Sequence, residues 1–349
     1  MSTALPSPTE PPSDALTPKV ASSAVVIGHP HFGEGSLLAE GAAVRTSRGG
    51  VTVGTGSAVL ENCVVIGSDA IPTVIGRRSV FGHRCLVVGA TVGDLCEIGN
   101  ASILMPGARL GDRVFLGEGT LVPSGMVLPS DVVAVGRPAR IIRTATPADL
   151  QRLRGLRDGD LSVPTPTSLV LEPALEGLRM GQLYDYRGIT PTIAQSAVLF
   201  PTAEITGDVV VGERTVIGAG VKIIGDSHGP VRIGDDVQIL ENTVLHLLPD
   251  NELVIHDGAT VGPGAMIHGC HIGAGTVVEP GAIVCDGSVV GAGCVVRAGA
   301  VVKQRARFGD AVEIDGFPAT EVGTIDPPGR PTWALSVDTL PTPARGGQR

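Results

Sequence analysis

The chain has 349 residues, enough for two ordinary domains, and hydrophobic residues make up 43% of it while aromatic residues make up only 3%. Val, Ile, Leu and Ala therefore carry its apolar content, which is unusual for a globular α/β enzyme. The net charge of −9 without a long basic run argues against a nucleic-acid or acidic-membrane partner, and the lack of an 18-residue apolar stretch argues against a membrane span.

The two ends of the chain are rich in Pro and lack the patterns of folded elements. Residues 1–21 show no basic segment followed by an apolar one, so they do not read as a secretory signal and are predicted to be a disordered tail. Residues 325–349 are predicted to be a second disordered tail. The six cysteines form no CxxC pair, which indicates free, buried thiols and a cytoplasmic protein.

Two runs of six-residue repeats, within 22–145 and 182–324, dominate the rest. An aliphatic residue or Phe recurs at every sixth position: Val92, Ile98, Leu104, Leu110, Leu116, Val122 and Leu128 in the first run, and Ile272, Val278, Val284, Val290, Val296, Val302, Phe308 and Ile314 in the second. A period of six fits a triangular coil of three short strands, with the aliphatic residue inward and Gly or polar residues at the corners. The sequence therefore predicts an all-β fold with two left-handed parallel β-helix domains.

The segment 146–181 breaks the repeat and predicts a helix followed by a linker. Thr146 suits the N-cap, Pro147 the first helical position and Asp149 the third. Leu150, Leu153 and Leu156 then fall on one side, so we expect this helix to pack along the flank of the first β-helix.

The stretches QLYDYRGITPTI, GPVRIGDDVQILENTVLH and VGPGAMIHGCHIGAGTVVEPGAIV resemble the γ-class carbonic anhydrase family of hexapeptide-repeat proteins. The resemblance covers 182 to about 322, and a more divergent copy covers about 22–145. Members of the family share a metal site of three histidines, two from one β-helix and the middle one from its neighbour. His246, in ENTVLH, and His268, in MIHGC, match the first and third of these, but Pro263 holds the middle position.

The first copy shows the opposite pattern. Ile66 and Val88 stand at its first and third positions, whereas His83, in FGHRC, stands at the middle one. The resemblance therefore implies a composite site in which His83 joins the two histidines of the second copy. Three imidazoles suit a divalent transition metal, with Zn as the first choice and Fe, Co or Ni as alternatives.

Two further family positions are split between the copies. Arg45 matches a family Arg that is Ile224 in the second copy, and Glu241 matches a family Asp. The resemblance implies that Glu241 acts as general base or orients water, and that Arg45 is also catalytic. It further implies an Arg45–Glu241 pair between the β-helices. The family's neighbouring Gln is Leu240 here, which makes a small carbonyl or carboxylate metabolite credible as substrate in place of carbon dioxide.

Three functions stay open at this point. The first is a metal-dependent lyase or hydratase, and the second is a hexapeptide-repeat acyltransferase that uses acyl-CoA, with His228 or His83 as general base. The third is a non-catalytic assembly protein. A small-molecule substrate and a homo-oligomer are expected. The resemblance also implies an assembly in rings of three β-helices. Because two domains per chain cannot alternate around such a ring, the composite site requires the two copies of one chain, or of partner chains, to face each other directly.

Overall fold

The computed structural model describes residues 17–47, 49–173, 181–226 and 228–336, and both predicted β-helices are present in it. Each is a left-handed, three-sided solenoid built from three sheets of short strands. Strands three apart in sequence pair in parallel, so that every coil adds one strand to each sheet.

The first β-helix begins at Lys19, slightly before the predicted boundary, and is followed by one helix. Its strands are β1 (Lys19–Val20), β2 (Val25–Ile27), β3 (His31–Phe32), β4 (Leu37–Leu38), β5 (Ala43–Thr46), β6 (Val51–Val53), β7 (Ala58–Val59), β8 (Val64–Gly67), β9 (Thr73–Ile75), β10 (Val80–Phe81), β11 (Leu86–Val88), β12 (Thr91–Val92), β13 (Glu97–Ile98), β14 (Ile103–Leu104), β15 (Arg109–Leu110), β16 (Phe115–Leu116), β17 (Leu121–Val122), β18 (Val127–Leu128), β19 (Val132–Val135) and β20 (Arg140–Thr144). Helix α1 (Pro147–Gly155) and strand β21 (Leu169–Val170) follow.

The second β-helix begins at Gln182 and ends at Thr324. Its strands are β22 (Gln182–Tyr184), β23 (Thr192–Ile193), β24 (Val198–Leu199), β25 (Glu204–Gly207), β26 (Val209–Val211), β27 (Val216–Ile217), β28 (Lys222–Gly225), β29 (Val231–Ile233), β30 (Gln238–Ile239), β31 (Val244–His246), β32 (Leu253–Ile255), β33 (Thr260–Val261), β34 (Met266–His268), β35 (His271–Ile272), β36 (Val277–Val278), β37 (Ile283–Val284), β38 (Val289–Val290), β39 (Val295–Val296), β40 (Val301–Val302), β41 (Arg307–Phe308), β42 (Val312–Gly316) and β43 (Ala319–Thr324).

The six sheets form two equivalent sets of three. In the first β-helix, sheet A contains β1, β4, β7, β10, β13, β16, β19 and β20, sheet B contains β2, β5, β8, β11, β14 and β17, and sheet C contains β3, β6, β9, β12, β15, β18 and β21. In the second, sheet D contains β22, β25, β28, β31, β34, β37 and β40, sheet E contains β23, β26, β29, β32, β35, β38 and β41, and sheet F contains β24, β27, β30, β33, β36, β39, β42 and β43. By strand order, sheets A, B and C correspond to sheets F, D and E. The turns from sheet A to sheet B are called the AB corner, and those from sheet F to sheet D the FD corner.

The predicted repeat positions form the two cores. Each aliphatic residue predicted to point inward in the first run is at most 5% exposed, and all but Phe308 are buried in the second. Small aliphatic side chains stack from coil to coil, which removes apolar surface from water without the need for aromatic residues. Five of the six cysteines are buried in the same way, and burial raises the pKa of Cys96 to about 12, so these thiols act as small hydrophobic residues.

Helix α1 forms where the capping pattern predicts it. The Thr146 hydroxyl accepts a hydrogen bond from the Asp149 N–H, and the Thr146 N–H donates to the Asp149 carboxylate. Hydrogen bonds from Arg143 and Thr146, together with the charge of Arg143, hold the pKa of Asp149 well below its usual range. Leu153 is fully buried, whereas Leu156, predicted on the same side, follows the helix as its C-cap and is 54% exposed. No helix in the described part of the chain has the length and apolar character needed to cross a bilayer.

The two β-helices pack on each other through an apolar junction. The outward side chains of sheet B meet those of sheet F and the FD corner, and the buried members of this cluster are Val25, Ile27, Ala43, Val64, Ile66, Leu86, Val88, Ile103, Met105, Phe200, Val216, Ala219, Leu240, Val277, Val295 and Ala298. Close approach depends on Gly264 at the FD corner, where a Cβ would lie only 2.9 Å from the Leu86 methyl groups. Its φ of +65° also favours glycine.

The segment after the second β-helix is ordered, and the prediction of a disordered tail is wrong for residues 325–336. Trp333 and Leu335 are 4% and 3% exposed and belong to the apolar junction. The Gln238 amide exchanges two hydrogen bonds with the backbone of Leu335. Residues 337–349, and 1–16 of the predicted N-terminal tail, lie outside the described residues.

An ion pair at the junction connects the two β-helices. Arg45 Nε lies 2.5 Å from Glu241 Oε1, and Arg45 Nη2 donates to the Trp333 carbonyl at 2.8 Å. The two side chains are 8% and 0% exposed. The predicted contact between Arg45 and Glu241 is thus present, and it lies inside the apolar junction.

Truncation of one buried aliphatic side chain in the core should strongly destabilise the first β-helix. Leu104→Ala is expected to lower the free energy of unfolding by about 2–5 kcal/mol, because Leu104 is fully buried and its cavity cannot collapse between fixed coils. Leu156→Ala, at a side chain that is 54% exposed, is the control and should cost well under half as much. Urea unfolding checks both, and equal losses would contradict the assigned core.

The ion pair gives a second prediction. Arg45→Leu should destabilise the protein by about 3–5 kcal/mol, because it leaves the Glu241 carboxylate buried without a counter-charge. The double variant Arg45→Leu/Glu241→Leu should recover most of this loss, since no charge is then left in the junction. Urea unfolding of the wild type and the two variants is the measurement. A double variant no more stable than the single one would contradict a buried pair.

Candidate metal centre

His246 and His268 lie side by side on the outer surface of sheet D. Each is the third residue of its strand, β31 or β34, and the two strands pair in register so that His246 lies opposite His268. The sequence separation of 22 residues is possible because the turn from β31 to β32 is longer than the turn from β34 to β35. The prediction that both histidines share one face on adjacent coils is confirmed.

A third histidine extends this pair into a row over neighbouring coils. His246 Nδ1 lies 3.2 Å from His268 Nε2, and His246 Nε2 lies 3.4 Å from His228 Nδ1. His228 follows strand β28, on the preceding coil, and the ring centroids along the row are 5.2 and 5.4 Å apart. The three rings are partly buried, with side chains 23–35% exposed, so a ligand can reach them from solvent.

Carboxylates hold both ends of this histidine row. Asp286 Oδ2 lies 2.6 Å from His268 Nδ1, and Asp226 Oδ1 lies 3.1 Å from His228 Nδ1. A carboxylate at Nδ1 favours the tautomer that carries its proton there and leaves Nε2 as a free electron-pair donor. For His268 this orients Nε2 toward His246. Asp286 also accepts hydrogen bonds from the Leu248 N–H and the Asn251 amide, which fix its position.

Sequence reasoning missed both carboxylates. Asp226 and Asp286 lie in turns that flank sheet D, and nothing in their local sequence distinguishes them from other corner residues. The available signal was the coil spacing, since Asp286 follows His268 by 18 residues and His228 precedes His246 by 18. That spacing places Asp286 and His228 each on the coil next to a predicted ligand.

The structure does not bring His83 to the histidine row within one chain. His83 lies at the AB corner, with Nδ1 2.7 Å from Glu61 Oε2 and its side chain 54% exposed. The one group of three metal-binding side chains that the described residues form, with ligand atoms within 4.8 Å of one another, contains Asp226, His228 and His246.

Arg45 and Glu241 also lie apart from the histidine row. Both Glu241 oxygens face Arg45, and the contacts of His246 among the described residues are with His228, His268 and Asp226. Their contacts are those of a structural pair at the junction. A catalytic role for either residue stays a prediction.

The donor set of the histidine row fits a divalent transition metal. Imidazole nitrogens with a carboxylate oxygen are ligands that Zn, Fe, Co and Ni accept readily. In such sites the ring nitrogen that does not bind the metal usually donates a hydrogen bond to a carboxylate. The side chains that would hold the metal lie on sheet D and in its flanking turns, so all of them belong to the second β-helix.

Parts of the chain are similar to known proteins. No protein-family model matches the chain. Over 86 residues, 25% of the chain, it is 46% identical to a Geobacillus kaustophilus protein named carbonic anhydrase, of which it covers 47%. Over 137 residues, 38% of the chain, it is 33% identical to the mitochondrial γ carbonic anhydrase 1 of Arabidopsis thaliana, of which it covers 50%. The chain thus spans about half the length of these curated relatives.

A solved structure from Bacillus cereus, described as a putative acetyltransferase, is 33% identical over 42% of this chain and 85% of its own, with a TM-score of 0.41. The sequence repeats, the stacked parallel coils and the γ carbonic anhydrase relatives point the same way. The chain belongs to the hexapeptide-repeat family of left-handed β-helix proteins and resembles its γ-class carbonic anhydrase members.

Proposed function

We propose that the protein is a metal-dependent lyase or hydratase that acts on a small carbonyl or carboxylate substrate at the histidine row of sheet D. The observation that carries this proposal is the row itself: three imidazoles, each in contact with the next, with a carboxylate at each end. A lone histidine is usually a structural residue, whereas three neighbouring imidazoles flanked by carboxylates have the donor types of a transition-metal site.

We assign His246 and His268 as metal ligands, in keeping with the family resemblance. A divalent metal bound there supplies a Lewis acid that activates water or polarises a carbonyl. Asp286 orients His268 for this task. Asp226 lies beside His228 Nδ1, so His228 Nε2 would be free to take a proton as a general base does.

His228 and Asp226 can also serve as ligands themselves, because both lie within 4.8 Å of His246. The metal content of His228→Ala separates the two roles. Metal that stays bound while the activity falls supports a general base, and metal that is lost supports a ligand.

An acyltransferase is the second candidate, and a cavity between the two β-helices favours it. This cavity has a volume of about 560 Å³, within the range of small-molecule sites, and Arg137 and Phe317 line it. His228 lies beside sheet D and is not among the residues that line this cavity. Acetyl-CoA binding by metal-free protein that Arg137→Ala weakens, while His228→Ala leaves it unchanged, would favour this candidate over the first.

Metal analysis tests the first candidate directly. Protein purified without chelator is expected to carry a transition metal, and His246→Ala and His268→Ala should each lose most of it. His256→Ala is the matched control, because His256 is an exposed histidine of the same β-helix outside the row, and it should keep its metal. Wild-type protein without metal after growth and dialysis with Zn would contradict the proposal.

The contact between Asp286 and His268 gives a separate prediction. Asp286→Asn should weaken metal binding by about 10–100-fold, because the amide no longer holds the His268 proton on Nδ1. Competition with a metal chelator measures the affinity. Asp310→Asn, at a carboxylate that accepts from the Ala292 N–H on another corner, is the control. Equal affinities in the two variants would show that Asp286 does not orient the ligand.

A further inference from the structure

The segment after the second β-helix encloses a small cavity against the first. Its walls are the ends of β5 and β8 on one side and residues 332–336 on the other. The cavity has a volume of about 180 Å³, below the range of about 300–1,000 Å³ that holds drug-sized ligands, so it suits a molecule of few heavy atoms. Ser47 and Ser68 of its lining are partly exposed, which lets a ligand enter from solvent.

Fixed contacts hold the residues that cover this cavity. Arg45 Nη2 donates to the Trp333 carbonyl at 2.8 Å, and the Gln238 amide bonds the carbonyl and the N–H of Leu335 at 2.7 and 2.9 Å. The side chains of Trp333 and Leu335 are buried in the apolar junction. Because the cover is held by both hydrogen bonds and apolar packing, the cavity is a built part of the fold.

Thr46 lines the cavity, and its hydroxyl is buried without a partner. The residue is 4% exposed, and Oγ1 has no hydrogen bond to any described residue. By contrast, the hydroxyls of the buried Thr73 and Thr215 donate to backbone carbonyls. A buried hydroxyl without a hydrogen bond is destabilising, and few native groups stay in that state. The hydrogen-bonding capacity of Thr46 is therefore available to a bound molecule.

Arg45 supplies a positive charge in the same lining. Its Nε and Nη2 face Glu241, and Nη2 also donates to Trp333, whereas Nη1 has no hydrogen bond to a described residue. The residues that line the cavity include no carboxylate, and their polar side chains other than that of Arg45 are hydroxyls. Such a lining favours a ligand that carries negative charge and accepts hydrogen bonds.

The remainder of the lining is largely apolar. Ile66 and Leu335 are 2% and 3% exposed and belong to the apolar junction, against which Ile71 also packs. An inorganic oxyanion would leave these side chains without apolar contact. A ligand with a carboxylate at one end and a short aliphatic chain at the other satisfies both parts of the lining.

We propose that this cavity binds a short-chain carboxylate, whose oxygens accept from Arg45 Nη1 and Thr46 Oγ1 and whose aliphatic part packs on Ile66 and Leu335. The Thr46 hydroxyl then gains the partner that it lacks within the chain. The site uses no metal and no residue of the histidine row, so it goes beyond the proposed function and does not depend on it.

The cavity lies at the part of the first β-helix that corresponds to the histidine row of the second. Ile66 is the third residue of β8 as His246 is of β31, and Ser47 follows β5 as Asp226 follows β28. The histidine row offers electron pairs to a cation, whereas the cavity offers N–H and O–H groups to an anion. The duplicated chain thus has two equivalent places with opposite ligand preferences.

Propionate binding to protein treated with a chelator tests this proposal. Calorimetric titration at constant ionic strength is expected to show that the wild type binds propionate and not propan-1-ol, which has the same chain without the charge. Thr46→Val should weaken propionate binding about tenfold, because one hydrogen bond to a charged group is lost. Ala334→Leu, which fills the cavity from its cover, should abolish binding. His246→Ala should bind propionate as the wild type does, so a failure of the proposed function leaves this test unaffected.

A wild type that does not bind propionate, or equal affinities in the wild type and Thr46→Val, would overturn the proposal. Binding of propan-1-ol as tight as that of propionate would overturn it as well, since the carboxylate would then play no part.

Thermal unfolding without propionate separates loss of the ligand contact from damage to the fold. Thr46→Val should melt at or above the temperature of the wild type, because it removes a hydroxyl without a partner. Thr215→Val is the matched control. Thr215 Oγ1 donates to the Gly234 carbonyl and accepts from the Val237 N–H, so this variant should melt lower and keep its propionate affinity. A Thr46→Val protein that melts well below the wild type would show that the hydroxyl already has a fixed partner, and would overturn the proposal.

Discussion

One inward aliphatic side chain in every six residues fixes the geometry on which the rest of this protein depends. Because an aliphatic residue or Phe occupies that position in nearly every repeat, each coil stacks on the next with the same orientation. Residues at equivalent positions therefore form columns on the outer faces. His246 and His268 are neighbours for this reason, although 22 residues separate them. The core imposes the register, and the outer positions are free to carry the chemistry.

The same constraint makes the two β-helices comparable residue by residue, and the comparison shows a division of tasks. The first β-helix uses its sheet B for packing, with Ile66 and Val88 in the apolar junction. The second places imidazoles at the same positions and leaves them accessible. Arg45 and Glu241 form an ion pair between the two β-helices inside the apolar junction. Because either charge would be destabilising there without the other, the pair favours one relative placement of the two β-helices. The duplicated fold thus supports one structural face and one face suited to ligand binding.

Much of this could be predicted from sequence, and the failures have a physical cause. The six-residue period sufficed for the fold, for the burial of Leu104 and its equivalents, and for the pairing of His246 with His268. The packing of residues 325–336 could not be predicted, because a Pro-rich segment has no hydrophobic periodicity. Its order depends on the burial of Trp333 and Leu335 in the apolar junction. The roles of Asp226 and Asp286 were hidden for a similar reason, since corner carboxylates are common and only the coil geometry shows which of them reach a histidine.

The central claim is that the open face of the second β-helix binds a metal through His246 and His268. Anomalous X-ray diffraction at the absorption edge of the bound metal, from crystals of protein purified without chelator, tests this claim most directly. The account predicts a single strong peak per chain beside Nε2 of His268 and the ring of His246. A peak elsewhere on the chain, or no peak in crystals soaked with Zn, would contradict it.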